Sequence, residues 1–535
     1  MKEIIIPLLA SLISLGSFAS TEKQNASLNS LDMPPKPTNI LWIYMEDQNG
    51  WNNAYGDFTV ATPNIASFAK SGVLFNNTIM PAPVCSATRS AIITGKHQAA
   101  LGTHQHRSSR STRASIFLPE GYKTVPELFK EAGFATFNIG KDDYNFKYDR
   151  STLYSEHPGP VVGWDGGMDG ENFDWAKELK NKPFFGQIQL KGGKWGAKAL
   201  PTFGLEKVDR SKMKLPAYYP DTDTYRNDWA LHYETQIASD IELKQILGKL
   251  QENGLLENTA VFWFADHGMG LPRHKQYLYE DGVRVPFIVN WPAGEKYLQR
   301  LGKKRDELIS GLDIPATSLA LSGIAIPDYY DGKNLFADNF SGHKYVISAK
   351  DKMDFTFDRV RSVRSKEFRY IRNFYPERPH LQANYRDARP VMIEYRAHAK
   401  DPNAHPALKF FGAVNRPAEE LYDLVNDRDQ LVNLADNSAY QAQLKEHRQA
   451  LLDWIAEVDD KGAYPQSDAA VREVIEMWGR FCVSPECQSY RARNKDKLGL
   501  TFEQAHPKVE WPHYLKEPTG PAYQKLQSVH RVDRQ

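Results

Sequence analysis

The sequence predicts an α/β fold, a parallel sheet with helices on both faces, followed after about residue 340 by a smaller second sheet. Two observations carry this. Short, continuously apolar runs of strand length alternate with segments of helical spacing. Polar clusters also stand directly after those runs, at the carboxyl ends of parallel strands where ligands collect. Residues 39–44 precede Glu46 and Asp47, residues 135–139 end at Gly140 and Lys141, residues 183–190 end near Lys191 and Lys194, and residues 259–264 precede Asp266, His267 and Gly268. Residues 125–132 and 233–250 have helical spacing, the second aligning Ile237, Ile241, Ile246, Leu247 and Leu250 on one side. Residues 359–364 and 368–372 alternate with period two and are rich in arginine, as strands of the smaller sheet; residues 444–458 form an amphipathic helix.

Composition sets the outer bounds. A chain of 535 residues, 41% hydrophobic and 25% charged, has room for two or three soluble domains and a large core. Its net charge of +1 gives no general attraction to nucleic acid or an anionic membrane. Met1 and Lys2, an apolar run over residues 4–18 and the small residue Ala19 read as an export signal cut after Ala19, the run being shorter than a membrane span. The protein is therefore expected to be periplasmic or secreted, with no membrane span once the signal is removed. Of three cysteines, Cys482 and Cys487 are close enough in sequence to bridge, although spacing alone does not establish it, and Cys85 is then the odd thiol.

Cys85 stands where a helix begins, ahead of the apolar residues 91–93 and the closing Gly95. Helix N-termini favour negative charge, and Arg89, four residues on, shares a face with Cys85. A soft nucleophile and a fixed guanidinium around one point suit an ester of sulfate or phosphate, whereas the same pattern alone equally describes a buried cysteine beside a surface arginine. Glu46, Asp47, Asp266 and His267 would place three carboxylates and an imidazole on one rim, a set that asks for a cation, and mostly oxygen donors favour calcium or magnesium. Each acidic pair alone would suit a turn or helix cap.

With these residues in view, the chain resembles the type I, formylglycine-dependent sulfatases of the alkaline phosphatase superfamily. Its Cys-x-Ala-x-Arg signature is Cys85 to Arg89; matches continue through 61–65, 72–75, Gly140 and Lys141, Asp266 to Gly268, Lys275, 279–286, 420–424 and 433–435, covering about residues 36–457 in order. The resemblance implies an alkaline-phosphatase-like fold: a large mixed, mostly parallel sheet sandwiched by helices, with a C-terminal α+β subdomain. Expected divisions are a signal at 1–19, a catalytic domain at 36–340, the subdomain at 341–460 and an extension at 461–535. It further implies that a formylglycine-generating maturation enzyme converts Cys85 to formylglycine (3-oxoalanine), which works as its hydrate beside one calcium ion held by Glu46, Asp47, Asp266, His267 and residue 85. Arg89, Lys141 and Lys275 would neutralise the sulfuryl oxygens. The arginines of the second sheet would either select a polyanionic glycan or form a solvated face.

Departures from the family pattern open further expectations. Asp143 stands where many sulfatases carry a histidine, and serves as base, hydrogen-bond acceptor or cap. Lys194, in a Gly-Gly-Lys turn whose glycines permit close approach to a ligand, contacts sulfate or lies in a surface turn. His104 and His106, on the loop after the nucleophile helix, are candidates for acid catalysis or substrate binding, and His274 beside Lys275 for substrate binding. The expected reaction is hydrolysis of sulfate esters on a sulfated polysaccharide or oligosaccharide, with carrageenan-type algal galactan first and glycosaminoglycan second. A phosphoester or phosphonate-ester hydrolase and an inactive glycan-binding homologue are the alternatives.

Overall fold

A computed structural model describes residues 38–154, 179, 182–194 and 208–494. The expected export signal at 1–19 and the part of the expected extension beyond 494 lie outside the described residues. The main sheet contains β1 (Asn39–Glu46), β2 (Val73–Ile79), β3 (Ala135–Ile139), β4 (Phe184–Gly193), β5 (Thr259–Ala265), β6 (Arg284–Asn290) and β7 (Lys304–Ser310), in the order β3-β4-β1-β5-β6-β2-β7. All neighbours are parallel except that β6 runs against β5 and β2. Every residue of β1 and β5 is buried, which explains why both read as continuous apolar runs rather than alternating ones.

Helices sandwich this sheet. They include α1 (Pro63–Ser71), α2 (Cys85–Thr94), α3 (Val125–Glu131), α4 (Asp223–Glu252) and α5 (Asp313–Leu321). Phe129 of α3 stacks on Phe185 of β4, which packs edge to face on Trp42, and the Trp42 indole donates to Ser318 of α5. Helix α4 lies along β4, and its Asp240 accepts from Ile65 N and Asn64 of α1. It begins at 223, ten residues earlier than the apolar spacing predicts. Its first turns are polar, yet Thr222 caps them by accepting from Tyr225 N.

The second sheet is antiparallel, β11-β10-β9-β8, from β8 (Val346–Lys350), β9 (Val360–Arg364), β10 (Phe368–Asn373) and β11 (Glu419–Asp423), with α6 (Gln441–Val458) packed on it. One buried cluster joins Ile79 and Leu308 of the large sheet to Val346, Val360, Ile371 and Tyr422 of the small one, so the two sheets share core. Here the arginine expectation is corrected. Arg361 and Arg369 are fully buried and Arg364 nearly so. Arg361 pairs with Asp351 (3.0 Å) and Asp460 (2.7 Å), while Arg364 and Arg369 both donate to Glu280 Oε1. They form neither a solvated face nor a glycan surface, because internal carboxylates already engage them. Beyond them, α7 (Asp468–Trp478) and α8 (Pro485–Arg493) pack on Phe355 and Phe357, and Cys482 and Cys487 are disulfide-bonded.

Candidate active site

The strand ends of β1, β4 and β5 and the start of α2 meet at one point. Helix α2 is buried throughout, starts at Cys85 after the extended Val84, and closes on Gly95 in the left-handed region (φ 65°). No side chain caps its first turn, so its N–H groups remain open to an anion. At the end of β1 the backbone turns through Asp47 at φ 57°, a left-handed conformation uncommon for a residue with a side chain. That turn aims Asp47 back toward Cys85, with Sγ 4.0 Å from Oδ1. Asp47 N donates to Asp266 Oδ1 (3.1 Å), tying the ends of β1 and β5 together.

Cys85 Sγ lies 3.2 Å from His267 Nε2 and 3.3 Å from Lys275 Nζ. Lys275 is itself fully buried and donates to both Asp47 oxygens (2.7 and 2.9 Å). Arg89 donates to Gln189 Oε1 (3.0 Å) and Lys141 O (2.8 Å), and its Nε is 3.5 Å from Asp266 Oδ2. Lys141 bridges Glu46 (2.7 Å) and Asp143 (2.8 Å). Lys194 completes the ring, its N donating to Glu46 O (2.9 Å) and its Nζ lying 3.7 Å from Glu46 Oε1. Glu46, Asp47, Asp266, His267, Cys85, Arg89, Lys141, Asp143, Lys194 and Lys275 thus form one buried cluster.

Its electrostatics follow from crowding. Burial pushes the Asp47 carboxyl up, but Lys275 and then His267 outweigh it and hold the group down at about 2. Burial raises Asp266, and the neighbouring Cys85 and Glu46 raise it further against His267 and Arg89. Burial also opposes ionisation of Cys85, yet Lys141 and Lys275 hold the thiol well below its usual range. Asp266 Oδ2 is buried with no hydrogen bond. Carboxylate oxygens of Asp47 with His267, and of Glu46 with Asp266, each lie within 4.8 Å of one another and of Cys85 Sγ, so the donor set fits a hard divalent cation.

The structure takes other predicted residues elsewhere. His104 has Asp351, Arg361, Asp460 and Arg359 as its charged neighbours and lines a cavity of about 300 Å³ with Ser108, Lys352 and Glu473. His106 pairs with Asp354 (3.2 Å), which is held by Gln276. His274 Nδ1 faces Asn49 Oδ1 (3.1 Å), and its ring stands edge-on to Trp51 and Trp229. The glycines before Lys194 serve protein contacts: a Cβ on Gly192 would strike Ser239 of α4, and one on Gly193, at φ 80°, would strike the Glu46 carbonyl.

Gln189 is the residue the sequence reading passed over. It accepts from Arg89 and donates to Glu46 Oε2 (3.4 Å), and the available signal was an amide inside an otherwise apolar strand. Arg386, from the connection between β10 and β11, also reaches the site, donating to Lys275 O and Gln276 Oε1 (both 3.0 Å).

Known proteins carry the same architecture. A 2-O GAG sulfatase of known structure superposes with a TM-score of 0.58 at 22% identity, covering 82% of this chain and 96% of its own. An ulvan-active sulfatase from Formosa agariphila is 28% identical over 485 residues, 82% of this chain and 78% of its own. The human N-sulphoglucosamine sulphohydrolase is 24% identical over 85% of this chain and 95% of its own. The sulfatase family model matches residues 38–324, which is more than half of the chain and includes every member of the cluster around Cys85; the chain belongs to the sulfatase family and is a sulfuric ester hydrolase.

Proposed function

We propose that this sulfatase is exported and removes sulfate from a sulfated polysaccharide or oligosaccharide, using a formylglycine made from Cys85 and one calcium ion. The observation that carries the reading is Cys85 Sγ at an open helix N-terminus, 3.3 Å from a fully buried lysine and within reach of three buried carboxylates. A calcium ion held by Glu46, Asp47, Asp266 and His267 would acidify a hydroxyl on residue 85 and draw charge from a sulfuryl oxygen. Lys275, Lys141 and Arg89 surround the place where those oxygens would sit, and being fixed by Asp47, Asp143 and Gln189 they need no reorganisation as charge develops.

Of the roles open to Asp143, acceptor for Lys141 fits best. Its carboxyl is raised by burial but lowered further by Lys141 and Arg110 to well below the usual carboxylate range, so it holds Lys141 in place and is a weak base. Lys194, beside Glu46, is assigned to contact with sulfate or the leaving oxygen. His104 and His106 are placed as structural residues in this reading.

The relatives are named for ulvan, glycosaminoglycan and N-sulfoglucosamine substrates, so these lead the substrate screen and carrageenan follows. Mass spectrometry of the Cys85 peptide from protein made with a formylglycine-generating enzyme, followed by sulfate release from defined oligosaccharides, tests the proposal. An unmodified thiol with retained glycan binding would favour a non-catalytic role. Faster turnover of a phosphate ester than of the sulfate ester of the same alcohol would favour the phosphoester alternative.

A further inference from the structure

Beside the cluster lies a buried cation that no carboxylate among the described residues engages by a salt bridge. Arg386 is 3% exposed; its Nη2 donates to two neutral acceptors, Lys275 O and Gln276 Oε1, while Nε and Nη1 have no hydrogen-bond partner. Nearby charges are already spent: Arg389 pairs with Asp228 and donates to Gly270 O (2.9 Å), and Asp47 is held by Lys275. Burying an uncompensated guanidinium is costly, so such a group marks a place where an anion is expected to arrive.

Two further observations place that anion. A Cβ on Gly270 would sit 3.3 Å from Arg389 Nη1, 3.6 Å from Asp47 Oδ2 and 4.0 Å from Arg386 Nη1, so the glycine brings the two arginine heads close to the carboxylate beside the nucleophile. His232 of α4 is 6% exposed with both ring nitrogens lacking a hydrogen bond; its Nε2 lies 3.9 Å from Asp228 Oδ2, and Asp228, Arg389, Asp47 and Arg386 are the charges that act on it. Arg386 donates to the backbone of Lys275, whose Nζ lies 3.3 Å from Cys85 Sγ, so these groups stand beside the nucleophile's own neighbour.

We propose that Arg386, with His232 and the flanking Arg389, binds a second oxyanion of the substrate, a carboxylate or another sulfate on the sugar that bears the scissile ester or on its neighbour. The inference rests on the sulfatase reading of the Cys85 cluster and adds a substrate class, dianionic glycans. Arg386 is then a specificity residue.

Binding without turnover decides it. Calorimetry on the full chain carrying Cys85→Ser would compare glucosamine 2-N,6-O-disulfate with glucosamine 6-O-sulfate, and a sulfated disaccharide containing a uronic acid with its carboxyl-reduced form. The expected result is that one dianionic probe binds about tenfold more tightly than its partner, and which pair shows it separates sulfate from carboxylate. Arg386→Met should bring that ratio close to one while leaving the monoanion's affinity nearly unchanged; Arg386→Lys should restore part of it. A ratio near one in both pairs with Arg386 present, or a ratio that survives Arg386→Met, overturns the proposal. Should Arg386→Met fail to fold, Arg386→Lys and His232→Asn carry the same comparison, each with a reduced ratio expected and an unchanged one overturning it. A wild-type protein that released sulfate from no ester would refute the reaction proposed above, and the binding ratio would still be decided on its own.

Discussion

At the rim of the seven-stranded sheet, Asp266 is fully buried and its Oδ2 has no hydrogen bond; in the four-stranded sheet Arg361 is equally buried, yet meets Asp460, Asp351 and two backbone carbonyls. Both regions put charge where water does not reach. At the rim, Glu46, Asp47 and Asp266 share cations with one another and with Cys85, and orphaned atoms remain. In the small sheet, each buried arginine is matched by a carboxylate in good geometry. Buried charge left unmatched is expensive and persists where a ligand completes it, whereas matched charge fixes how elements dock.

The largest expected effect comes from breaking the rim. Lys275→Met should lower kcat/KM for sulfate release by about 10²–10³, as for loss of a fixed group at a developing charge, while changing the melting temperature far less than its burial suggests, because Asp47 keeps His267 as a partner and would keep the proposed calcium ion. Sulfate release and a thermal melt of the same matured sample measure both. If Lys275→Met instead unfolds the protein and spares activity in what remains folded, the contrast between the two regions collapses.

Arg361→Met is the converse. It strands Asp351 inside the protein and leaves Asp460 with Arg359 as its remaining cation, so a loss of about 3–5 kcal/mol is expected, with activity per folded molecule within about twofold of the parent. Urea unfolding and active-site titration read the two quantities separately. Activity that fell in step with a Lys275 variant would show that the arginine ladder reaches the chemistry after all.

How far each region was legible in the sequence follows from the same physics. The rim could be read because its residues stand at strand ends, so that Glu46, Asp47, Asp266 and His267 are marked by the apolar runs before them. Local periodicity also gave α2 from its first residue and the strands β9 and β10 to within one residue. It could not give the partners of Arg361 and Arg369, since Asp460 lies 99 residues from Arg361 and Glu280 lies 89 from Arg369. Alternating arginine has the same pattern whether its face meets water or a buried carboxylate. His104, His106 and His274 were singled out by nearness in sequence to the nucleophile helix or to Lys275; the structure sets His106 against Asp354 and His274 against Asn49, and gives His104 Asp351 among its charged neighbours. Arg386 was invisible for the opposite reason, arriving from 111 residues beyond Lys275.

A smaller effect sharpens the contrast through metal. Calcium at about 100 times its dissociation constant should stabilise the native state by about 2.7 kcal/mol, seen as a rise in melting temperature that a chelator reverses. Asp266→Asn should abolish the rise, because it removes the charge of the carboxylate whose Oδ2 has no hydrogen bond. Asp460→Asn should keep it. A calcium response that depended on Asp460 as much as on Asp266 would mean that the ion binds outside the rim.

The smallest effect at neutral pH is one that grows with acid, and it belongs to the matched region. Burial raises the carboxyls of Glu280, Asp358 and Asp460, but Arg364 and Arg369, Lys350 and Arg416, and Arg361 respectively lower them further, to well below their usual range. A carboxyl depressed in the folded state contributes stability that is complete above its unfolded pKa, about 4, and that is lost as pH falls through the folded value. The melting temperature should therefore be insensitive to these groups between pH 7 and 5 and should drop steeply below about pH 4. Asp460→Asn removes one of the titrating groups, so its melting curve should start lower and fall less steeply over the same acid range. Parallel slopes for the variant and its parent would show that Asp460 is not held as the Arg361 pairing requires, and would move the matched charges of the small sheet into the same class as those of the rim.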